Sequence, residues 1–350
     1  MRIFATEVCA ALAAFTLALP AVAQSCLGDV AIDGRIDGGD LGVMLANWGP
    51  VTSTALSRAC DLDGNTDVDG ADLGILLNGW GSCPGPTAPA WATLLEAPPD
   101  PKVVKDPALR SAIVATGLPW RVREIVTGME MLLVPPGAFQ MGCVMGSTMY
   151  GCDGNAEPVH GVAITRPFYL GRFEVTQAQW AQAMGANPAF FRDSPDSAYR
   201  PVESVSWIAV QGFLATTSFR LPTEAEWEFA CRAGTDEPFH NGLTADDSVS
   251  DIAWCAPLAD TRTYAVGGKS PNMLGFHDML GNVWELVADW YAEYRPESQL
   301  DPTGPASGSF RLRRGGSWAY YSSSARSYYR NAHGVDYLSW DFGLRVARNP

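Results

Sequence analysis

The chain has 350 residues, enough for two or three domains, and its apolar fraction of 47% with 12 tryptophans is ample for a buried core. The net charge of −14 makes nucleic acid a poor partner, because affinity for a polyanion rests on basic side chains. The charge is uneven: between Gln24 and Pro84 nine Asp face only Arg35 and Arg58, about half of the total. Clustered Asp points to cations.

Met1 to Ala23 reads as a secretory signal. Arg2 is the basic end, Ala10 to Leu19 the apolar run, and Ala21-Val22-Ala23 an A-x-A cleavage site. The run is too short to span a bilayer, and no later stretch does so. The protein is expected to be secreted or periplasmic, cleaved near Ala23, with no transmembrane segment. Cys26 follows closely, but Ala23-Gln24-Ser25 before it fits a lipobox poorly. Export permits disulfides. Cys9 leaves with the leader, so seven of the eight cysteines remain, an odd number. Cys60 and Cys83 bracket an acidic repeat, Cys143 and Cys152 flank a short loop, and Cys231 with Cys255 is a further pairing. Sequence does not settle the connectivity.

Two repeats follow the leader, DVAIDGRIDGGDLGVMLANWG from Asp29 and DLDGNTDVDGADLGILLNGWG from Asp61, spaced by 32 residues. Each reads as a twelve-residue loop and then an amphipathic helix, with Leu41, Leu45, Trp48 and Leu73, Leu77, Trp80 on its apolar face. EF-hand loops take oxygens from positions 1, 3, 5, 7, 9 and 12, the seventh through its carbonyl. The second loop offers Asp61, Asp63, Asn65, Asp67 (carbonyl), Asp69 and Asp72. The first offers Asp29, Asp33, Arg35 (carbonyl), Asp37 and Asp40, and has Ala31 at position 3. An acidic solvated linker is the plain alternative. The regular spacing, Ile36 and Val68 at matching inward positions and the paired Trp-Gly endings count against it.

With Asp at position 12 and a single helix after it, the pair resembles a dockerin module. That resemblance implies bound calcium, a small all-α domain and a cohesin-like or other extracellular partner. Two departures stand out. Gly34 keeps the sharp turn at position 6 of the first loop, whereas Thr66 replaces it in the second. Gly38, Gly39, Gly70 and Ala71 occupy the positions that help select a cohesin, and have little side chain to select with.

Residues 85–122 read as a proline-rich linker, stiff and extended, with one short helix over Pro107 to Thr116. Residues 123–350 read as a second domain. Met129 to Cys143 is two strands around a Pro-Pro-Gly turn. A strand from Phe168 leads to a helix capped by Thr176. Pro201 to Ala215 holds another capped helix, and Thr223 caps a third, with Glu226 completing a capping box. From Gly267 the helical signal fades into turns and short strands such as Phe310 to Arg313 and Leu344 to Ala347. Pattern alone says α+β.

Gly275 to Tyr291, GFHDMLGNVWELVADWY, gathers glycines, carboxylates and tryptophans in one segment. A turn at Leu280-Gly281-Asn282 would fold Asp278 and Glu285 toward a common point, with main-chain carbonyls beside them, as Ca²⁺ requires. The plain alternative is a turn whose carboxylates are satisfied by nearby N–H groups.

DMLGNVWE, with RLPTEAEWEFACRAGT (Arg220 to Thr235), RRGGSW (Arg313 to Trp318) and FGLR (Phe342 to Arg345), resembles the formylglycine-generating enzyme or sulfatase-modifying factor family, over about Glu124 to Arg348. The resemblance implies a C-type-lectin-like α+β domain. It also implies a calcium site formed by the side chains of Asp278 and Glu285 and the carbonyls of Gly281 and Val283. A second family calcium site is not matched by Asp251 to Thr263. Family enzymes convert a substrate cysteine to formylglycine with O₂ and copper held by two cysteines after the GGS motif. Here Tyr320 falls at the first, and the second falls within Ser322 to Ala325. No cysteine follows Cys255. Hydroxyls do not replace soft thiolates on Cu(I), so copper is not expected. An iron-dependent branch needs a three-histidine cluster, and His160, His240, His277 and His333 are scattered. Tyr320, Tyr321, Tyr328, Tyr329, Tyr337 and Trp340 crowd the region that forms the family's substrate groove. They read either as a platform for a peptide or glycan, or as core and rim filling. Arg326 and Arg330 keep the spacing of family arginines and suit ion pairs. The expectation is a secreted calcium-binding protein whose second domain binds or scaffolds without catalysis. The alternatives are a formylglycine-generating oxidase and a purely structural unit of an extracellular assembly.

Overall fold

The computed structural model describes residues 28–30, 35–82, 86–143, 152, 154–244 and 249–350. The expected leader, Ala31, Asp33, Gly34 and Cys83 lie outside the described residues. The chain divides into two units, Met1–Pro84 and Gly85–Pro350. Among the described residues no helix is long and apolar enough to cross a membrane.

The first unit repeats itself in space as it does in sequence. Its elements are β1 (Arg35–Ile36), α1 (Gly38–Ala46), β2 (Gly49–Pro50), α2 (Ala55–Cys60), β3 (Asp67–Val68), α3 (Gly70–Asn78) and β4 (Gly81–Ser82). Strand β1 pairs with β4 and β3 with β2, both antiparallel, so each loop is zipped to the exit of the other repeat's helix. Asp37 and Asp69 cap α1 and α3. Asp40 and Asp72, three residues on, accept from the cap N–H groups at 2.9 and 2.8 Å, completing two capping boxes.

Three expectations are corrected in this unit. It is not all-α, because two short ladders tie the repeats. The second loop is preceded by a helix of its own, α2. The apolar face differs in part: Ile36, Met44, Cys60, Val68 and Leu76 form the core with Leu41 and Leu73 packed against it, while Leu45, Trp48, Leu77 and Trp80 are exposed. The reason is the capping carboxylate. Asp40 and Asp72 must face the loops, so the inward row runs from each to the residue four on, Met44 and Leu76. Leu45 and Leu77 are then turned about 100° away. Cys60 is a buried thiol and does not form the expected staple with Cys83.

The second unit contains β5 (Ala92–Glu96), α4 (Pro107–Val114), β6 (Arg121–Glu124), β7 (Glu130–Val134), β8 (Gly137–Met141), β9 (His160–Ile164), β10 (Phe168–Gly171), α5 (Gln177–Met184), α6 (Trp207–Thr217), α7 (Glu224–Arg232), β11 (Trp284–Trp290), β12 (Gln299–Leu300), β13 (Arg311–Arg314), β14 (Asn331–His333), β15 (Phe342–Leu344) and β16 (Ala347–Arg348). Three sheets run in the orders β16-β10-β7-β6-β5, β14-β13-β11-β15 and β12-β9-β8. One continuous apolar core joins them.

The expected linker is instead folded. Strands β5 and β6 pair with each other and extend the first sheet through β7. Val104, Ile113 and Trp120 are fully or almost fully buried in the core. The prolines mark turns and a helix start: Pro107 sits in the first turn of α4, capped by Asp106. The two strands flanking Pro135-Pro136 exist, but they serve different sheets, β7 beside β10 and β8 beside β9. The helix caps follow the sequence reading. Thr176 and Thr223 cap α5 and α7, and Glu226 completes the box with Thr223, while the helix expected over Pro201 to Ala215 starts later, capped by Ser206. The expected strand over Leu344 to Ala347 is split into β15 and β16. Cys143 and Cys152 are bridged, with sulfurs 2.02 Å apart. Cys231 and Cys255 are not bridged to each other and are both buried.

Candidate functional site

The turn at 278–285 forms as expected. Asp278, Gly281 and Asn282 all have positive φ, and a Cβ on Gly281 would run into the Trp254 backbone, so glycine is required there. The turn places Asp278 and Glu285 in the interior, each about 1% exposed. It also adds partners that the local pattern does not show. Both Glu285 oxygens accept from Arg345, the nearest contact at 2.7 Å, and Oε2 accepts from the Trp227 indole at 2.6 Å. Arg345 also donates to the carbonyls of Gly171 and His277. Glu174, far upstream, accepts from Asn282 Nδ2 at 2.7 Å and Val283 N at 3.1 Å. Three buried carboxylates therefore share one guanidinium. Burial, then the charges of Asp278 and Glu285, push the Glu174 carboxyl well above its ordinary range. Burial pushes Asp278 up to about 6, against the Gly267 N–H and Arg345.

As a calcium site the donor set is uneven. Asp278 Oδ2 takes the Gly267 N–H at 2.6 Å, while Oδ1 is buried with no hydrogen-bond partner. An orphaned buried carboxylate oxygen fits a cation. Glu285 is already neutralised by Arg345, so it could add only a remaining lone pair. The plain reading of the turn, carboxylates satisfied by protein donors, holds for Glu285 and not for Asp278 Oδ1.

The acidic loops converge more clearly. Carboxylate oxygens of Asp61, Asp63 and Asp72 lie within 4.8 Å of one another, and this is the one such group of three among the described residues. Asp61 shapes the loop by accepting from the N–H groups of Gly64, Asn65 and Thr66 at 2.9 to 3.0 Å. Asp72, fully buried, accepts from Leu62, Asp63 and Asp69. Asn65 Oδ1 accepts from Asp67 N, and Asp69 caps α3. Hard oxygens in this array suit Ca²⁺. In the first loop Asp40 is buried like Asp72, Asp37 caps α1 and lies 3.7 Å from the Arg35 guanidinium, and Asp29 is half-buried. Thr66 takes the left-handed position with φ of 79°. A β-branched residue is strained there by about 1–2 kcal/mol. Thr66→Gly should raise the stability of the first unit by about 1 kcal/mol; a loss in chemical denaturation would contradict the strain.

Of the positions that the resemblance assigns to the copper thiolates, Tyr320 is 40% exposed with its ring edge-on to Trp284 at 5.5 Å, and within Ser322 to Ala325 the residues Ser324 and Ala325 are buried. Ser317 on the preceding turn is bound to Asp341 at 2.9 Å. Cys231 lies inside α7, its thiol pushed far up by burial. The four histidines are spread over separate aromatic or buried settings: His160 on Tyr294, His277 on Phe173, His333 on Tyr337, and His240 in the interior.

The expected aromatic region splits. Tyr328 fills core, and Tyr329 packs half-buried on Trp284. Tyr321 (71% exposed), Tyr337 and Trp340 (52% exposed) remain at the surface. Sequence reasoning missed two members, Phe190 and Phe191, which pack on Trp340 and Trp318 at 5.6 and 5.4 Å. Nothing local to that segment marks them.

Arg330 makes the ion pair its spacing suggested, with Glu224 at 2.6 Å, while Arg326 is buried and donates to the Tyr328 hydroxyl. The wider network was not foreseen: Glu224, Glu228 and Arg232 line one face of α7, and Arg314 reaches across to both glutamates. An i, i+4 repeat of charges in a helix was the available signal.

Residues 121–350 match the sulfatase-modifying factor enzyme 1-like domain. The formylglycine-generating enzyme of Thermomonospora curvata is 34% identical, over 65% of this chain and 95% of that protein. A serine/threonine-protein kinase, pkn1, of Chlamydia pneumoniae is 30% identical over 71% of this chain, which spans 42% of that protein's length. Among solved structures, Treponema denticola variable protein 1 is 28% identical with a TM-score of 0.58, covering 63% of this chain and 95% of that one. PvdO from Pseudomonas aeruginosa is 26% identical with a TM-score of 0.55, over 66% of this chain and 98% of that one. Matched across most of its second unit, the chain belongs to the sulfatase-modifying factor enzyme 1-like family.

Proposed function

We propose that the second unit is a binding domain on an enzyme scaffold, presenting its aromatic surface to a peptide or glycan. The observation that carries this reading is Tyr320, whose ring rests against Trp284 where a copper thiolate would be needed. Exposed rings with apolar faces and polar tips suit either ligand. We further propose that the protein is secreted, that the first unit is a dockerin-like calcium module able to take a cohesin-like or other extracellular partner, and that calcium also sits at Asp278. In this reading calcium at Asp278 Oδ1 supplies the positive charge that the crowded Glu174–Asp278–Glu285 group lacks, while Arg345 orients Glu285.

The deciding experiment is aerobic turnover of a cysteine-containing sulfatase-motif peptide by the calcium-loaded protein with copper supplied, read by mass spectrometry. No loss of the thiol is expected. Conversion to the aldehyde, the activity for which the Thermomonospora relative is named, would overturn the reading. Tyr321→Ala and Trp340→Ala should each weaken a ligand found by glycan and peptide screening on the order of tenfold or more, with stability changed by less than about 0.5 kcal/mol. Unaltered affinity in both variants would place the ligand elsewhere.

A further inference from the structure

Tyr320 packs at Trp284, the start of β11; Asp289 and Trp290 lie at its other end, roughly 20 Å along the strand. There a cavity of about 490 Å³ opens, lined among others by His160, Glu224, Asp289, Trp290, Tyr294 and Arg330. Its size is that of a small-molecule site.

The charges in this cavity are almost all used. Arg330 directs its donors to both Glu224 oxygens and to the carbonyls of Asn155 and Ala292. Its face is covered by the Tyr294 ring at 3.8 Å. Glu224 also accepts from Arg314 and from the Tyr294 hydroxyl. An anion entering here would find four of the five Arg330 N–H donors already engaged. The exposed lining charges, Glu293 and Arg295, are of opposite sign. Arg311 is held between the rings of Trp207 and Trp290 and donates to the Ala288 carbonyl.

Asp289 differs from the rest. It is 4% exposed and lines the cavity, and its hydrogen bond comes from the Glu224 backbone N–H at 2.8 Å. Among the described residues no cation pairs with it. Arg330 and Arg311 act on it only from beyond ion-pair distance, and a buried carboxylate so weakly compensated is costly. Burial, then the charge of Glu224, push this carboxyl up to about 7, with Glu226 adding to the rise and Arg330 opposing it. A cation beside it would remove that cost.

We propose that this cavity binds a small organic cation, a primary ammonium on a short apolar stem, through the Asp289 carboxylate. The site is separate from the aromatic surface, and its occupation does not depend on what that surface binds. The ammonium donates to Asp289, and the stem lies in the space beside Trp290 and Tyr294.

The test is calorimetric titration of the full chain in phosphate buffer with butylamine, using butanol and butyrate as neutral and anionic controls of similar shape. Saturable binding of butylamine alone is expected at pH 8. At pH 6 the affinity should fall on the order of tenfold, because a carboxyl titrating near 7 is then mostly protonated. Asp289→Asn should weaken binding on the order of tenfold at pH 8 and abolish the pH dependence. If that variant does not fold, the wild-type ratio between pH 8 and pH 6 still decides. Equal affinity at the two pH values, equal binding of butanol, or no butylamine binding overturns the proposal.

Discussion

Glu228→Ala is expected to cost the second unit about 3–5 kcal/mol, and its melting temperature on the order of 10 °C. Glu228 is fully buried in α7. It accepts from Arg232 at 2.8 and 2.9 Å, from Arg314 and from the Gly142 N–H at 2.9 Å. Removing it leaves Arg314, itself fully buried, with Glu224 as its remaining carboxylate, a partner it shares with Arg330. The Gly142 N–H also loses its acceptor, beside the bridged Cys143. Burial alone would raise the Glu228 carboxyl, but Arg232 and Arg314 outweigh it and hold it below the ordinary range. Its contribution is therefore fully present above the unfolded glutamate pKa of about 4.3 and is lost as pH falls through the lower, folded value. Chemical denaturation at pH 7 and at pH 3 should show the gap between wild type and variant closing in acid. A variant as stable as wild type at pH 7 would mean the arginines find other partners.

Chelation is expected to unfold the first unit, while the second, with its far larger core, loses stability at the Asp278 site but stays folded. Asp61, Asp63 and Asp72 stand within ligand distance of one another, and Asp72 is buried between helix and loop. Without a cation these charges repel; with one, binding energy becomes folding energy. At a thousandfold excess of calcium over Kd the gain is about 4 kcal/mol, comparable to the whole stability of a unit this small. Its fully buried core is Ile36, Met44, Cys60, Val68 and Leu76, with a shell of half-buried aliphatic residues around it. Hydrogen exchange on the full chain reads this directly. The amides of α1 and α3 should lose protection in EDTA and regain it with calcium, while those of β11 and β13 hold. Protection of α3 that ignores EDTA would remove calcium from the account of this unit.

Several features were legible in the residues because their causes are local. Thr176 and Thr223 cap helices since a side-chain oxygen three residues from an N–H closes a short ring wherever the chain goes. The 32-residue spacing of the acidic repeats reappears in the ladders, because segments of similar pattern fold alike. Cys143 and Cys152 are close enough in sequence for their bridge to need only a short loop. The motifs around Gly281 and Gly315 identified the family by order alone.

What stayed hidden depends on partners distant in the chain. Composition made 85–122 a spacer, yet Trp120, Val104 and Ile113 are buried because β6 meets β7, a pairing with no local signature. The helix faces of the first unit turned by about 100° because capping carboxylates, and not leucines, set the inward row. Arg345 and Glu174 share the interior with Glu285 from 60 and 111 positions away. Phe190 joins Trp340 in the same manner. By itself the sequence determined the starts of α5 and α7, the duplicated acidic loops and the tight turn at Gly281. Only the tertiary structure decided which charges neutralise one another, since a carboxylate's partner in the interior is chosen by packing and not by neighbourhood in the chain. That left Glu285 with Arg345, Asp278 with an open oxygen, and Asp289 facing a cavity with no cation in ion-pair contact among the described residues.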